Sequence, residues 1–471
     1  MTAGRFGIRQ VVDDGFCVGC GVCGASVRDP ATMRWTPFEL YQADLTPLSE
    51  RAVDALSTVC PFSDDALDED RLAKELWPDM PAARPGVVGR YLSVGAGRVV
   101  DAGLVKQSSS GGLTSYVLRQ LLERGLVDGV IHVGDTDSGS DGSQGPLMGY
   151  RLSYRAEDVA GNSKSRYYPI EMSRVLAAVR GDGKRYALVG VPCFIKAARL
   201  LCREDEALRQ QLAFMVGLVC GHLKSGAFAK NFAWQMGVPP EQLGRFDFRV
   251  KDEQKSANAY SVAAIETSTG RMVQAPSRTL FGSDWGLAMF RPRACDFCDD
   301  IAGELADVCF GDAWLPQYEG NWRGTNIHVL RNEQVAAILK EGEQRGDIVL
   351  FDSNADEFVA SQGGNYRHRR EGLQVRLADR HRARQPAPRK RQFGVEHRTA
   401  LFKRLVYRAR VELGDRSHGM FRRAVEAGDY AAFRAGMKPA LRRYRLFAML
   451  SSGRVLAQMI SFVTRRLGMR R

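Results

Sequence analysis

Cys17, Cys20 and Cys23 form C-x2-C-x2-C with Gly19 and Gly21 between them, and Cys60 stands directly before Pro61. A tight loop that gives three thiolates, closed by a fourth from elsewhere, is the ligand pattern of a four-iron, four-sulfur (4Fe-4S) cluster. A run serving two clusters would carry another cysteine after a three-residue gap, where this chain has Val27, so the segment reads as a one-cluster module. Zinc is the alternative, since C-x2-C also builds zinc knuckles, but zinc sites usually pair their ligands two and two. A disulfide framework is disfavoured: a chain of 471 residues buries a core without staples, and its first residues lack the basic, apolar and small-residue pattern of a secretory leader. A reducing cytoplasm is therefore expected.

The remaining cysteines pose the same question. Cys193 lies in GVPC, Cys220 in LVCGH, and Cys295 and Cys298 in RPRACDFCDD. If the three loops meet at one edge of a sheet, these four thiols make a second cluster site. Each alone reads as a small apolar core residue, and the C-x2-C pair lifts the combination above that reading. Cys309, in ELADVCFGD, is the rival for the fourth ligand, and Cys202 sits in a helical pattern that suits packing. Asp307 and Asp312 are the acidic residues nearest this second site; they could orient a ligand loop, relay a proton, or simply cap a turn.

In QSSSGGLTSYVLRQLL, Ser108, Ser109, Ser110, Gly111 and Gly112 stand just before a helix. Small residues let backbone amides approach a phosphate, and a helix N-terminus adds partial positive charge, so the segment can cradle a pyrophosphate. A plain serine N-cap would give similar text. Residues 163–166, SKSR, bring Ser163, Lys164 and Arg166 into a polar loop; a flavin gains from a cation near its ring or phosphates, whereas many charged loops are only solvated.

The elements that must hold these groups follow from periodicity. YLSVGAGRVVDAG predicts strand and turn, SGGLTSYVLRQLLERG a helix, and VDGVIHVG, YALVGVPC and LAFMVGLVC buried strands. Strands alternating with helices predict an α/β body with parallel components. FDFRVKD, YSVAAIETS and RMVQAPSRTL predict short antiparallel strands, followed by a helix in QVAAILKEGEQRG and a strand in DIVLF. The fold class expected is thus α/β, mixed α+β: a ferredoxin-like cluster module, a mixed-sheet body, which the resemblance given below implies to be flavin-binding, and a basic helical tail.

Taken in order, the N-terminal cysteines, SSSGGLTSYVLRQLLERGLVDGVIHVG, GNSKSRYY, VGVPC, LVCGH, FRVKD and CDFCDDIAGELADVCFGDAW resemble the beta-subunit family of coenzyme F420 hydrogenases and dehydrogenases, over roughly residues 10–370. The resemblance implies an oxidoreductase subunit with FAD and 4Fe-4S clusters. It matches cluster ligands to Cys193, Cys220, Cys295 and Cys298, beside the outer set Cys17, Cys20, Cys23 and Cys60. It sets the flavin around Ser109, Ser110, Gly111, Gly112, Thr114, Ser163 and Lys164. Where the family commonly reads C-H-G, this chain has Cys220, Gly221 and His222. The division that follows is a ferredoxin-type module over 1–66 with an exit linker in the PDMPAARPG stretch, an N-terminal-like region over 86–168 and a C-terminal-like region with the second cluster over 171–370. A basic linker over 371–395 and a basic helical tail over 396–471 complete it.

Charge is unevenly spread. From Tyr366 onward there are 28 Lys and Arg against 7 Asp and Glu, and before it 39 against 47. An acidic body with a basic tail suggests a tail that meets an anionic surface. Leu446, Leu450, Leu456, Ile460 and Val463 lie near one face, with Arg454, Arg465 and Arg466 among them, which suits either a helix at an anionic membrane face or a cap packed on the body. The bridge RLADRHRARQPAPRKRQ is expected to be exposed and mobile, and removal of residues 376–471 to leave cofactor content intact. Nucleic-acid binding is disfavoured, because few aromatics interleave with the tail's charges. No run approaches the ~18 apolar residues of a membrane span. The partners expected are ferredoxin or another electron-donor subunit and an organic acceptor. The alternative function is a non-catalytic relay or assembly subunit docking through its tail.

Overall fold

The computed structural model describes residues 5–29, 32–81, 87–136, 145–391 and 399–452. The cysteine-bearing segment contains α1 (Ile8–Asp13), α2 (Val22–Ser26), β1 (Met33–Trp35), β2 (Tyr41–Ala43), α3 (Glu50–Leu56) and α4 (Glu69–Leu76). The body begins with β3 (Ser93–Val99), α5 (Ala102–Gln107), α6 (Leu113–Glu123), β4 (Gly129–Asp135), β5 (Met148–Ser153), α7 (Ala156–Ala160) and α8 (Ser173–Val179). It continues through β6 (Tyr186–Gly190), α9 (Pro192–Glu204), α10 (Glu206–Gln211), β7 (Leu212–Leu218), α11 (Ala227–Gln235), β8 (Leu243–Val250), β9 (Ser261–Glu266) and β10 (Met272–Pro276). Last come β11 (Val308–Asp312), α12 (Pro316–Glu319), β12 (Asn326–Leu330), α13 (Glu333–Gln344), β13 (Ile348–Asp352), α14 (Ala355–Ser361), α15 (Gly363–Arg369), α16 (Glu371–Arg382), α17 (Leu401–Ala427) and α18 (Tyr430–Ser451).

An eight-stranded sheet runs in the order β13-β3-β12-β11-β7-β6-β4-β5. Its middle, β11-β7-β6-β4, is parallel, and the flanking pairs are antiparallel. Every residue of β6 is buried, as the continuous apolar text of YALVG requires when both faces are covered. One face carries α6 and α13, packed through Leu113, Val117, Ile338 and Leu339. The other meets α9 and the N-terminal segment, where Phe16, Val22 and Leu56 share a core with Leu188, Ile195 and Met215. The cysteine-bearing segment is thus built into the body. The PDMPAARPG stretch falls largely on residues 82–86, outside the described residues.

The antiparallel sheet β10-β9-β8 stands apart. Its Phe246, Phe248 and Val262 pack with α11 and with Leu413, Phe421, Phe433 and Leu441 of the α17–α18 hairpin. The described part of the tail is therefore a cap on the body, although Leu446 remains about half exposed. The expectations for Arg454, Leu456, Ile460, Val463, Arg465 and Arg466 lie outside the described residues. Among the described residues no helix is long and apolar enough to cross a membrane.

The bridge is exposed, as expected, over residues 381–386 and at Arg389, and is seated at Arg376, Pro388, Lys390 and the side chain of Arg391. Residues 371–382 form α16, whose Leu373 is fully buried, and Lys390 and the side chain of Arg391 that follow are buried as well. Arginine-rich, proline-punctuated text reads as solvated because its carboxylate partners, Glu69, Asp299 and Glu304, lie far away in sequence.

Candidate functional site

Parallel strands present their carboxyl ends at one edge, and in open α/β sheets ligands gather there. Cys193 follows β6 in the first turn of α9, Cys220 follows β7, and Asp312 ends β11. The topology thereby gathers groups separated by more than a hundred residues.

Cys17, Cys20, Cys23 and Cys60 line one small cavity whose other walls are apolar, among them Val11, Phe16, Val18, Leu56 and Phe62. The loop doubles back sharply at Gly21, where φ is 85° and a Cβ would come within 2.7 Å of the Met172 amide nitrogen. Met172 N–H in turn donates to Cys20 O at 2.9 Å, fixing the loop on the body. Gly19 N–H faces Cys17 Sγ at 3.4 Å. All ten cysteines are free thiols. Burial is the main cause that pushes the Cys60 thiol up to about 12, so a thiolate here needs a bound cation to form.

Cys193, Cys220, Cys295 and Cys298 line a second small cavity. Cys295 lies in a single tight turn, Arg293–Phe297, and Leu223 N–H donates to its Sγ at 3.3 Å. Asp296, between the paired cysteines, is held by Arg291 at 2.6 Å and by Arg376 of α16 at 3.4 Å. Arg376 also donates to Asp296 O at 2.7 Å. Arg369, at the end of α15, lies in the same cavity wall. Arg376, which braces this loop, lies at the start of the segment 376–471 whose removal is expected to leave cofactor content intact. Cys309, the rival fourth ligand, lies on β11 outside this cavity, and a Cβ at Gly217 would touch its Sγ at 3.2 Å. Cys202 lies on α9 and packs into the core. Asp307 is engaged by Arg199 at 2.9 Å and by the Met215 amide at 2.7 Å, a structural anchor.

Among the described residues, no group of three or more His, Cys, Asp or Glu is set to hold a metal ion. A single zinc would need its sulfurs converged at ~2.3 Å from one point. A cubane asks for something else: four sulfurs around a common space, at its separate corners, in soft and apolar surroundings. Both cysteine sets meet that description in donor type and number; the lining of the first is apolar, and that of the second adds the guanidinium of Arg369 to apolar walls.

The third cavity, of about 230 Å³, opens at the strand ends. Its outer part is the serine–glycine loop. Gly112 is the N-cap of α6 and gives no side-chain cap, so the serines are not an ordinary N-cap. A Cβ on Gly111 would strike Gly97 O at 2.8 Å and Asn326 N at 2.9 Å, which is why the loop is glycine there. Ser110 Oγ donates to Thr325 O at 3.0 Å, and Ser109 Oγ accepts from the Ser165 amide at 2.6 Å. That last bond joins the two segments expected to flank a flavin. Thr114, Ser163 and Lys164 also line the cavity, and Lys164 pairs with Asp247. Lys251, not foreseen, lies under the loop and donates to Val105 O, Ser110 O and Arg323 O at 2.9, 2.7 and 2.7 Å.

The inner end carries His222, noted above for its place after Cys220 and Gly221, together with three groups the sequence did not single out: Lys224, Trp285 and Tyr150. Burial, then Lys224 and nearby arginines, holds the His222 imidazole neutral, well below its usual range. Its Nε2 has no partner among the described residues, and its ring lies 4.4 Å from Trp285. Only the GHLK text after Cys220 hinted at this cluster, and its meaning depends on Trp285, 63 positions from His222 in sequence.

The three cavities share walls. Val18 and Phe62 line both cysteine cavities, and Cys220 and Leu223 line both the second cysteine cavity and the large one. The second set therefore stands between the first and the large cavity.

Two family models match the chain: the coenzyme F420 hydrogenase/dehydrogenase beta subunit N-terminal region over residues 94–177 and its C terminus over residues 183–355. The coenzyme F420 hydrogenase beta subunit of Methanococcus voltae is 22% identical over 277 residues, covering 57% of this chain and 86% of that protein. A subunit of the F(420)H(2) dehydrogenase of Methanosarcina mazei is 22% identical over 354 residues, covering 71% of this chain and 85% of that protein. The coenzyme F420-dependent sulfite reductase of Methanocaldococcus jannaschii is 21% identical over 361 residues, 71% of this chain and 48% of that protein. A chain in the F420-reducing nickel–iron hydrogenase complex of Methanosarcina barkeri aligns with a TM-score of 0.48 at 17% identity, covering 65% of this chain and 98% of that one.

Proposed function

Because the chain belongs to the coenzyme F420 hydrogenase/dehydrogenase beta-subunit family, we propose that it is an oxidoreductase subunit carrying electrons through two 4Fe-4S clusters to FAD and on to an organic acceptor. The observation that carries this reading is the series of shared walls: first cysteine cavity, second cysteine cavity, large strand-end cavity. Bound there, the clusters supply one-electron transfer and the flavin exchanges single electrons for a hydride.

The residues have divided tasks. Cys17, Cys20, Cys23 and Cys60 hold the outer cluster, and Cys193, Cys220, Cys295 and Cys298 the inner one. Apolar walls exclude water, and burial with hydrogen bonds to sulfur tunes each potential. The amides of the Ser109–Gly112 loop ahead of α6, whose Leu113 N–H is taken by Asn326 Oδ1 at 3.0 Å, receive the flavin's phosphates, with Thr114, Ser163 and Lys164 beside them. At the inner end His222 Nε2 offers a neutral hydrogen-bonding atom to the redox ring, and Trp285 closes that side. The electron donor is ferredoxin or a partner subunit, in keeping with relatives named as subunits.

Anaerobic purification of the full chain, with absorption spectrum, iron and sulfide counts and flavin extraction, tests the proposal. About eight irons and one FAD per chain are expected, with bleaching by reduced F420 or reduced ferredoxin. Clusters without flavin would favour the relay subunit; a colourless zinc protein would sink both readings.

A further inference from the structure

Resting on the assignment of the two cysteine cavities to clusters, we infer that Arg369 is the fixed counter-charge of the inner cluster and poises it at a higher potential than the outer one. The chain itself thereby sets the inward direction of electron flow.

Arg369 is 3% exposed, and its guanidinium is anchored by carbonyls: Cys220 O at 3.1 Å, Gly221 O at 2.6 Å and Asp300 O at 3.0 Å. Nη2 lies 3.9 Å from Cys220 Sγ. Among the described residues no carboxylate pairs with it, and Cys193, Cys220, Cys295 and Cys298 line the same small cavity as its side chain. A buried guanidinium held only by neutral acceptors is costly unless negative charge arrives beside it. Four thiolates around a four-iron core bring that charge, and one more electron increases it. A positive charge fixed at this distance, in surroundings that screen little, favours the reduced state.

The outer cavity lacks such a group. Its lining consists of cysteines, glycine, proline and apolar side chains. Lys196, a cation that acts on Cys60, is balanced by Glu69 at 3.2 Å. Backbone amides face Cys20, Cys23 and Cys60, and these partial charges are weaker than a whole guanidinium. The transfer is one electron with no proton: the outer site is oxidised and the inner reduced. A low-potential iron–sulfur donor protein supplies the electron, and the organic ring in the large cavity takes it up.

EPR-monitored redox titration of the anaerobically purified full chain, as wild type, R369Q and R369K, tests this, with C20S identifying the outer signal. Two potentials are expected, the inner higher; R369Q moves the inner one to more negative values and leaves the outer unchanged, while R369K keeps the inner near wild type. Loss of the inner cluster in R369Q with retention in R369K also supports a role of charge. Unchanged potentials in R369Q, an outer potential above the inner, or loss of the inner cluster in both variants overturns the inference while two clusters in the wild type leave the functional reading standing. Fewer than two clusters in the wild type overturns that reading, and the inference with it.

Discussion

Serine in place of one cysteine tests each set separately, because the two cavities meet only through Val18 and Phe62 and share no thiol. Cys20→Ser and Cys298→Ser are each expected to lower iron by about half, through loss of a different EPR signal, with flavin retained in the first. Equal loss of both signals in either variant would mean that the eight cysteines form one unit. Gly111→Val attacks the large cavity instead. Its Cβ meets two backbone atoms, Gly97 O and Asn326 N, under 3.0 Å, and neither can swing aside as a side chain could. Such overpacking costs about 1–3 kcal/mol. We expect FAD content per chain to fall several-fold with both EPR signals intact, measured by acid extraction and EPR on one preparation.

At the scale of elements, the stretch after α16 behaves as a strap. Arg389 N–H donates to Asp64 at 2.6 Å, Lys390 lies over the Phe62 ring at 4.4 Å, and Arg391 reaches Glu304 at 2.8 Å, Asp70 at 3.0 Å and Asp299 at 3.3 Å. One segment thus fastens the N-terminal cysteine segment to the loop that carries Cys298. Arg391→Ala leaves Glu69, Asp299 and Glu304 buried without their shared cation, a loss of about 3–5 kcal/mol. A lower denaturation midpoint and loss of inner-site iron are expected; an Arg391→Ala protein of wild-type stability would refute the strap. The sequence shows why this element was hard to see. YALVG and SGGLTSYVLRQLLERG declare themselves because strand and helix periods are local, and the cysteine spacings are equally local. Burial of Arg391 depends on carboxylates up to 322 positions away, and no period in RQPAPRKRQ encodes it. The same reason hid Lys251 and Trp285, whose roles exist only where distant loops meet, while the second cysteine set became legible through the order of many motifs together.

Across the whole molecule, the acidic body and basic tail neutralise one another: Arg380 meets Asp14 at 3.4 Å, and Arg391 lies among four carboxylates. Charge that would otherwise advertise an external partner is partly spent inside the fold, and with it much of the sensitivity to pH. A second sensitivity comes from imidazoles. His132 on β4, His328 on β12 and His418 on α17 are each held down to about 4, chiefly by burial. Unfolded, each titrates near ~6.5. Above that pH both states are neutral and these groups leave stability unchanged. As pH falls from ~6.5 toward about 4, the unfolded chain takes up protons that the folded chain refuses, so stability falls. At pH 5.5 each imidazole costs on the order of 1 kcal/mol, and the three lie on separate elements that bind the large sheet and the hairpin into one body. We therefore expect the denaturation midpoint to drop between pH 7.5 and 5.5, and His328→Gln to reduce that drop by about a fifth, since burial also holds His222 and His368 well below their usual range, even where it lowers stability at pH 7.5. An identical drop in wild type and variant would exclude His328 as a source of the acid sensitivity; Glu69 and Asp299 beside Arg391, held below the usual carboxylate range by their cations, lose their stabilisation only at lower pH.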